Sequence, residues 1–157
     1  MTAQPVHLRE IADQNRAAVS SLRVEPGQEL FVASVIDSLD EAAATPEGNP
    51  WYRAIYAGDE PVGFVMLSWD VTPSPGIIGP WFLWRLLIDE RHQRRGYGRA
   101  AMALIVDLIR TNGATELLTS YQPGDGEPWP FYQALGFVPT GEVDGGEIII
   151  ALDLSGR

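Results

Sequence analysis

An apolar run from Trp81 to Ile88 is followed by Gln93-Arg94-Arg95-Gly96-Tyr97-Gly98-Arg99, and then by Ala101, Leu104, Ile105, Leu108 and Ile109 at i, i+3, i+4, i+7 and i+8. This order constrains the fold more than any other feature of the chain. It predicts a strand, a glycine turn, and a helix that begins near Gly98, stops at Asn112-Gly113 and lays its apolar face on a sheet. The turn also has a chemical meaning. Successive backbone N–H groups at the positive end of a helix form a concave anion site, and glycine lets an anion come close to the main chain. Arg94, Arg95 and Arg99 add positive charge there, or are solvated surface.

The rest of the chain supplies partners for that unit. Val6-His7-Leu8 begins a short strand, Asp13 is placed to cap a helix running to about Leu22, and a second helix is expected from Glu29 to about Ala43 on the spacing of Leu30, Phe31, Val32, Val35, Ile36 and Leu39. Trp51 to Ala57 and Pro61 to Ser68 read as a hairpin turning at Gly58-Asp59. Leu117 to Ser120 reads as a strand and Trp129 to Leu135 as a helix entered through prolines. Phe137 to Glu142 with Glu147 to Leu154 reads as a closing hairpin. The expected architecture is one α/β (α+β) domain over residues 1–157, with a mixed sheet of about seven strands and about four helices.

Composition excludes several function classes. The chain has no cysteine, and its two histidines, His7 and His92, are far apart, so no metal site is expected. A net charge of -10 argues against nucleic acid or an anionic membrane as partner. No apolar run approaches the roughly 20 residues of a membrane span, and the first ten residues are polar where a signal peptide needs an apolar stretch, so a cytoplasmic protein is expected. Acidic residues crowd the 25–60 segment (Glu25, Glu29, Asp37, Asp40, Glu41, Glu47, Asp59, Glu60), which suggests an acidic region apart from the anion site.

Leu86-Leu87-Ile88-Asp89 followed by Gln93 to Gly98 resembles the acetyl-CoA signature of the Gcn5-related N-acetyltransferase (GNAT) superfamily. Phe131-Tyr132-Gln133-Ala134-Leu135-Gly136-Phe137 resembles its second hallmark, a tyrosine followed by leucine-glycine-phenylalanine. In its outer parts, Phe31-Val32-Ala33-Ser34 and Gly63-Phe64-Val65-Met66, the chain is most similar to the bacterial diamine and spermine/spermidine acetyltransferase branch. The resemblance implies a sheet splayed at the cofactor strand and acetyl-CoA as cosubstrate. It also implies acetyl transfer to a primary amine, such as a diamine or polyamine, by direct attack in a ternary complex. Leu86, Leu87 and Ile88 would then bind the pantetheine arm, and Gln93, Arg94, Arg95, Gly96, Tyr97, Gly98 and Arg99 the pyrophosphate. Tyr132 would give a proton to the departing thiolate. A small-molecule amine acceptor and a homodimer are the partners it implies.

The chain also departs from the family pattern. Strict alternation from Trp81 places Phe82, Trp84, Leu86 and Ile88 on one strand face and Trp81, Leu83, Arg85 and Leu87 on the other, and neither face carries a carboxylate. Phe82, Trp84, Glu41 and Tyr121 are candidates to meet the acceptor, since aromatic faces also bind cations. Glu41, Asp70 and Glu127 are candidates for the missing acid. Asp125 occupies the slot of the family's asparagine. Alternatives are an aminoglycoside, amino-acid or protein amine as acceptor, a non-catalytic acetyl-CoA sensor, and an interaction module built on Trp69 and Trp129.

Overall fold

Period-two alternation and the turn chemistry place seven strands in one sheet, in the order β1-β2-β3-β4-β5-β7-β6. A computed structural model describes residues 5–28 and 32–155. The strands are β1 (Val6–Arg9), β2 (Pro50–Ala57), β3 (Glu60–Ser68), β4 (Phe82–Ile88), β5 (Glu116–Tyr121), β6 (Val138–Asp144) and β7 (Glu147–Asp153). The α-helices among the described residues are α1 (Arg16–Ser20), α2 (Val35–Ala44), α3 (Tyr97–Thr111) and α4 (Trp129–Leu135). All neighbouring strands are antiparallel except β4 and β5, which run parallel. The sheet is therefore mixed, as expected.

Each face of the sheet buries its own core. On one face α3 sets Ala101, Met102, Ile105 and Ile109 against Val65, Leu67, Leu83, Leu117 and Ile150. Ile105 and Ile109 are fully buried, and burial of such side chains stabilises the fold by about 1.5–3 kcal/mol each. On the other face α1 and α2 set Val19, Val35 and Leu39 against Phe64, Met66 and Leu87.

Two helix starts differ from expectation. Asp13 does not cap α1. Asn15 occupies the cap position, and its side chain holds the preceding turn, accepting from Ala12 N at 2.8 Å and donating to Glu10 O at 3.1 Å. The expected second helix begins later, at Val35, because the Ser34 hydroxyl accepts from Asp37 N at 3.1 Å and stops the helix there. Its expected first residues, Glu29 to Phe31, lie outside the described residues.

A bulge in β4 changes which residues share a face. Met66 pairs with Arg85 and Leu67 with Leu83, so Trp84 is an extra residue on β4. Beyond it the alternation is inverted. Leu83, Leu86 and Ile88 pack on the α3 face, whereas Trp84 and Leu87 pack on the α1/α2 face. The strict alternation that grouped Phe82 and Trp84 with Leu86 and Ile88 is thus corrected: one inserted residue is enough to turn every later side chain over.

Candidate active site

The parallel pairing of β4 and β5 is short, with Phe82 opposite Leu118 and Leu83 opposite Thr119. From Trp84 onward the β4 edge that faces β5 has no strand partner among the described residues, and a cleft of about 980 Å³ opens there. The splay expected at this strand is present. Thr119 sits at the fork, where its hydroxyl donates to Leu83 O at 2.8 Å and satisfies the last carbonyl before the strands part.

One arm of the cleft runs along β4 to the start of α3. Gly96 caps that helix in a left-handed conformation (φ 81°), and no side chain caps its first N–H groups. Arg94, two residues earlier, is left-handed too (φ 64°). Such a loop offers main-chain N–H groups to an anion. The opposite side of the loop is fixed by side chains. Gln93 donates to Ile88 O at 2.9 Å and to Gln28 Oε1 at 2.7 Å, and Arg94 pairs with Glu25 at 3.0 Å. Gly98 packs under the Phe131 ring, whose edge would lie 3.3 Å from an added Cβ.

Asp89 anchors the base of this arm. Its carboxylate is buried and accepts from Arg23 N at 2.9 Å and from Arg91 Nε at 2.8 Å. Burial opposes its ionisation, but the Arg23 N–H, the Arg91 hydrogen bonds and the Arg91 charge outweigh it and hold the carboxyl below its usual range.

Tyr132 closes the centre of the cleft from α4. It is 8% exposed, packs edge-on against Phe131 and Phe137, and has Thr119 beside its hydroxyl. Burial pushes the phenol up to about 12, only partly offset by the Thr119 hydroxyl, so Tyr132 keeps its proton at neutral pH. Tyr121 stacks on Trp129 at 5.8 Å, and burial raises its phenol as well, with the Glu127 charge adding to the shift.

The other arm is lined by Phe82, Trp84, Arg85 and Glu41 on one wall and by Asp144 and Glu147 across from them. Trp84 is wedged in place. Its indole N–H donates to Ser68 Oγ, and its ring lies so close to Gly48 that an added Cβ would be 2.7 Å from it. Glu41 accepts from Arg85 Nη2 at 2.5 Å, and Glu147 accepts from the Ser120 hydroxyl at 2.8 Å.

The cleft therefore gathers Tyr132, Phe82, Trp84, Glu41, Tyr121, Leu86, Ile88, Gln93, Arg94, Gly96, Tyr97, Gly98 and Arg99. Leu87 and Arg95 do not line it: Leu87 is buried in the α1/α2 core and Arg95 is exposed. The other candidate acids, Glu127 and Asp70, do not line the cleft. Glu127 accepts from Gly124 N at 2.9 Å within its own loop, and Asp70 is exposed in a left-handed turn (φ 46°). Within the 25–60 segment Glu25, Glu41 and Asp59 each pair with a different arginine. Trp69 packs between Trp51 and Trp81, and Trp129 stacks on Tyr121.

Thr119 is the residue that sequence reasoning missed. The available signal was a lone hydroxyl between Leu117 and Tyr121 on the buried face of β5, where a polar group needs a stated partner. Among the described residues no cluster of metal-ligating side chains occurs, and no helix is long and apolar enough to cross a membrane.

The family model described as "Acetyltransferase (GNAT) family" matches residues 9–137. The spermine/spermidine N(1)-acetyltransferase of Bacillus subtilis (strain 168) is 29% identical over 155 residues, covering 95% of this chain and 99% of the relative. Among solved structures, an acetyltransferase from Thermus thermophilus superposes with a TM-score of 0.71 at 20% identity, covering 98% of this chain and 99% of its own. The PaiA N-acetyltransferase of Thermoplasma acidophilum, solved in complex with coenzyme A, gives 0.68 at 15% identity, covering 94% and 98%. At these identities the structures establish a shared fold.

Proposed function

Because the chain belongs to the GNAT acetyltransferase family, and so is an acetyl-CoA-dependent N-acetyltransferase, we propose that its acceptor is a small cationic amine of the diamine or polyamine class. The observation that carries this reading is the second arm of the cleft, where the rings of Phe82 and Trp84 share one cavity with the carboxylates of Glu41, Asp144 and Glu147. Aromatic faces and carboxylates both favour a positively charged, partly aliphatic body. The similarity to a spermine/spermidine acetyltransferase along nearly the full length of both chains supports the same reading.

The first arm fits coenzyme A. The unpaired β4 edge can accept an extended amide chain as a further strand would, and the uncapped N–H groups after Gly96 suit a pyrophosphate. Leu86 and Ile88 would flank the pantetheine arm, and Gln93 would hold the loop in shape through Ile88 O. When bound, acetyl-CoA supplies an activated acetyl group and a thiolate leaving group. Tyr132 holds a proton on its Oη at the junction of the two arms and can donate it as negative charge develops on the sulfur. The attacking nitrogen must be unprotonated, so the acceptor reacts through a neutral amine while its other ammonium groups are held in the second arm. The proton it releases on attack passes to solvent in the cleft. Alignment of amine and acetyl donor across the fork lowers the barrier further, with no side-chain nucleophile needed. The protein is expected to act as one domain over residues 1–157.

Arg85 favours a second reading, an amino-acid or peptide amine whose carboxylate meets the guanidinium. Release of free thiol from acetyl-CoA, measured with polyamines, amino acids, peptides and aminoglycosides, separates the two. Turnover of polyamines well above the others supports the first reading, and a preference for carboxylate-bearing amines supports the second.

A further inference from the structure

The acceptor arm contains its own cation. The Trp84 bulge turns Arg85 onto the face that meets α2, opposite Met66 rather than toward α3. There its Nη2 donates to Glu41 Oε2 at 2.5 Å and its Nη1 donates to Trp84 O at 2.8 Å. Glu41 is therefore neutralised before any acceptor arrives. The pair is unequal in exposure: the Arg85 side chain is 23% exposed and that of Glu41 46%. Both side chains line the cleft, and the carboxylate is the more open of the two to solvent.

We propose that Arg85 is a specificity-determining residue that competes with the acceptor's ammonium group for Glu41, so that an amine must displace one end of an internal ion pair to bind. This rests on the cationic-amine reading above. A partly exposed ion pair is weakly held and can exchange one cation for another. A monoamine that takes Glu41 from Arg85 replaces one pair with a similar one and gains little. An amine with a second positive charge keeps a further attraction, because Asp144 and Glu147 line the wall across the cleft. Selection for multiply charged amines follows from the difference, since the internal competitor removes the advantage of a single charge. The Arg85 Nε is buried without a hydrogen-bond partner, so replacing the guanidinium breaks no bond at that atom.

The test is steady-state kinetics of the full chain with spermidine and propylamine as probes, comparing wild type, Arg85→Gln, Glu41→Gln and the double variant. Arg85→Gln is expected to lower the KM for both amines about three- to tenfold, and proportionally more for propylamine, with the KM for acetyl-CoA unmoved. Glu41→Gln is expected to raise the KM for spermidine, and Arg85→Gln to bring no further fall in that background. An Arg85→Gln variant whose KM for spermidine rises, or falls equally with and without Glu41, overturns the competition while leaving the polyamine reading in place. If wild type and Arg85→Gln both reject spermidine and propylamine yet acetylate amino-acid amines, the cationic-amine reading fails and the competition with it. A merely structural Arg85 would change stability and kcat for all amines alike, without the dependence on Glu41.

Discussion

The Thr119 hydroxyl donates to the Leu83 carbonyl at 2.8 Å and lies beside the Tyr132 phenol, so the side chain that closes the β4/β5 fork also neighbours the proton donor of the site. Structure and chemistry meet in that one side chain. Thr119→Val keeps the volume but leaves the Leu83 carbonyl unpaired, and an unpaired buried acceptor costs about 1–3 kcal/mol. A fall in Tm with reduced kcat is the expected outcome, read by thermal denaturation and thiol release.

Tyr132→Phe removes a hydroxyl and keeps the packing against Phe131 and Phe137. Turnover should drop by about 10²-fold or more, with acetyl-CoA affinity nearly unchanged, because the proton matters as charge develops. With its phenol pushed up to about 12, Tyr132 stays protonated where an exposed tyrosine would already be losing its proton near 10. Wild-type turnover should therefore show no loss from this group up to about pH 10. The sign for stability follows from the raised folded value. The contribution is complete below the unfolded value near 10 and is lost as pH rises through about 12, a loss that Tyr132→Phe abolishes in alkaline denaturation.

Gly96→Glu places a side chain and a negative charge on a residue with φ 81° at the mouth of the anion loop. Acetyl-CoA at a hundred times its Kd stabilises a protein that binds it only when folded by about 2.7 kcal/mol. A thermal shift of the corresponding size is expected for wild type and none for Gly96→Glu, read by scanning fluorimetry. An equal shift in both proteins would place the cofactor elsewhere.

The glycine turn and the helix after it were legible because their signals are local. Leu104, Ile105, Leu108 and Ile109 repeat at helical spacing, Gly96 supplies the positive φ of the turn, and Gly98 marks a close approach to Phe131. Trp84 was not legible in the same way. Nothing in an apolar run betrays an inserted residue, since a bulge is defined by the register of the neighbouring strand, here Met66 and Leu67. The face of every later β4 residue depended on that register. Glu41 shows the same limit in charge: the sequence displays the acid, and only the fold displays that Arg85, from another element, already holds it. Asp13 lost the capping role because Asn15 folds the turn with both ends of its amide.

Asp89→Asn tests the anchor beneath the anion loop. The carboxylate receives hydrogen bonds from Arg23 and Arg91, and its folded pKa is lowered. Its contribution is therefore complete above the unfolded value near 3.9 and is lost as pH falls through the folded value. At neutral pH the variant should be less stable by about 1–3 kcal/mol, and the gap should narrow as pH is lowered below about 4. Chemical denaturation at both pH values measures it.

The most direct test of the whole account is thiol release from acetyl-CoA by the purified chain across an amine panel at low and raised salt. The account predicts that spermidine and short diamines have the highest kcat/KM. Their KM should also rise with salt as the attraction of Asp144 and Glu147, the cleft carboxylates with no internal cation among the described residues, is screened. Preferred turnover of amino-acid or peptide amines, with a KM for polyamines indifferent to salt, would contradict it.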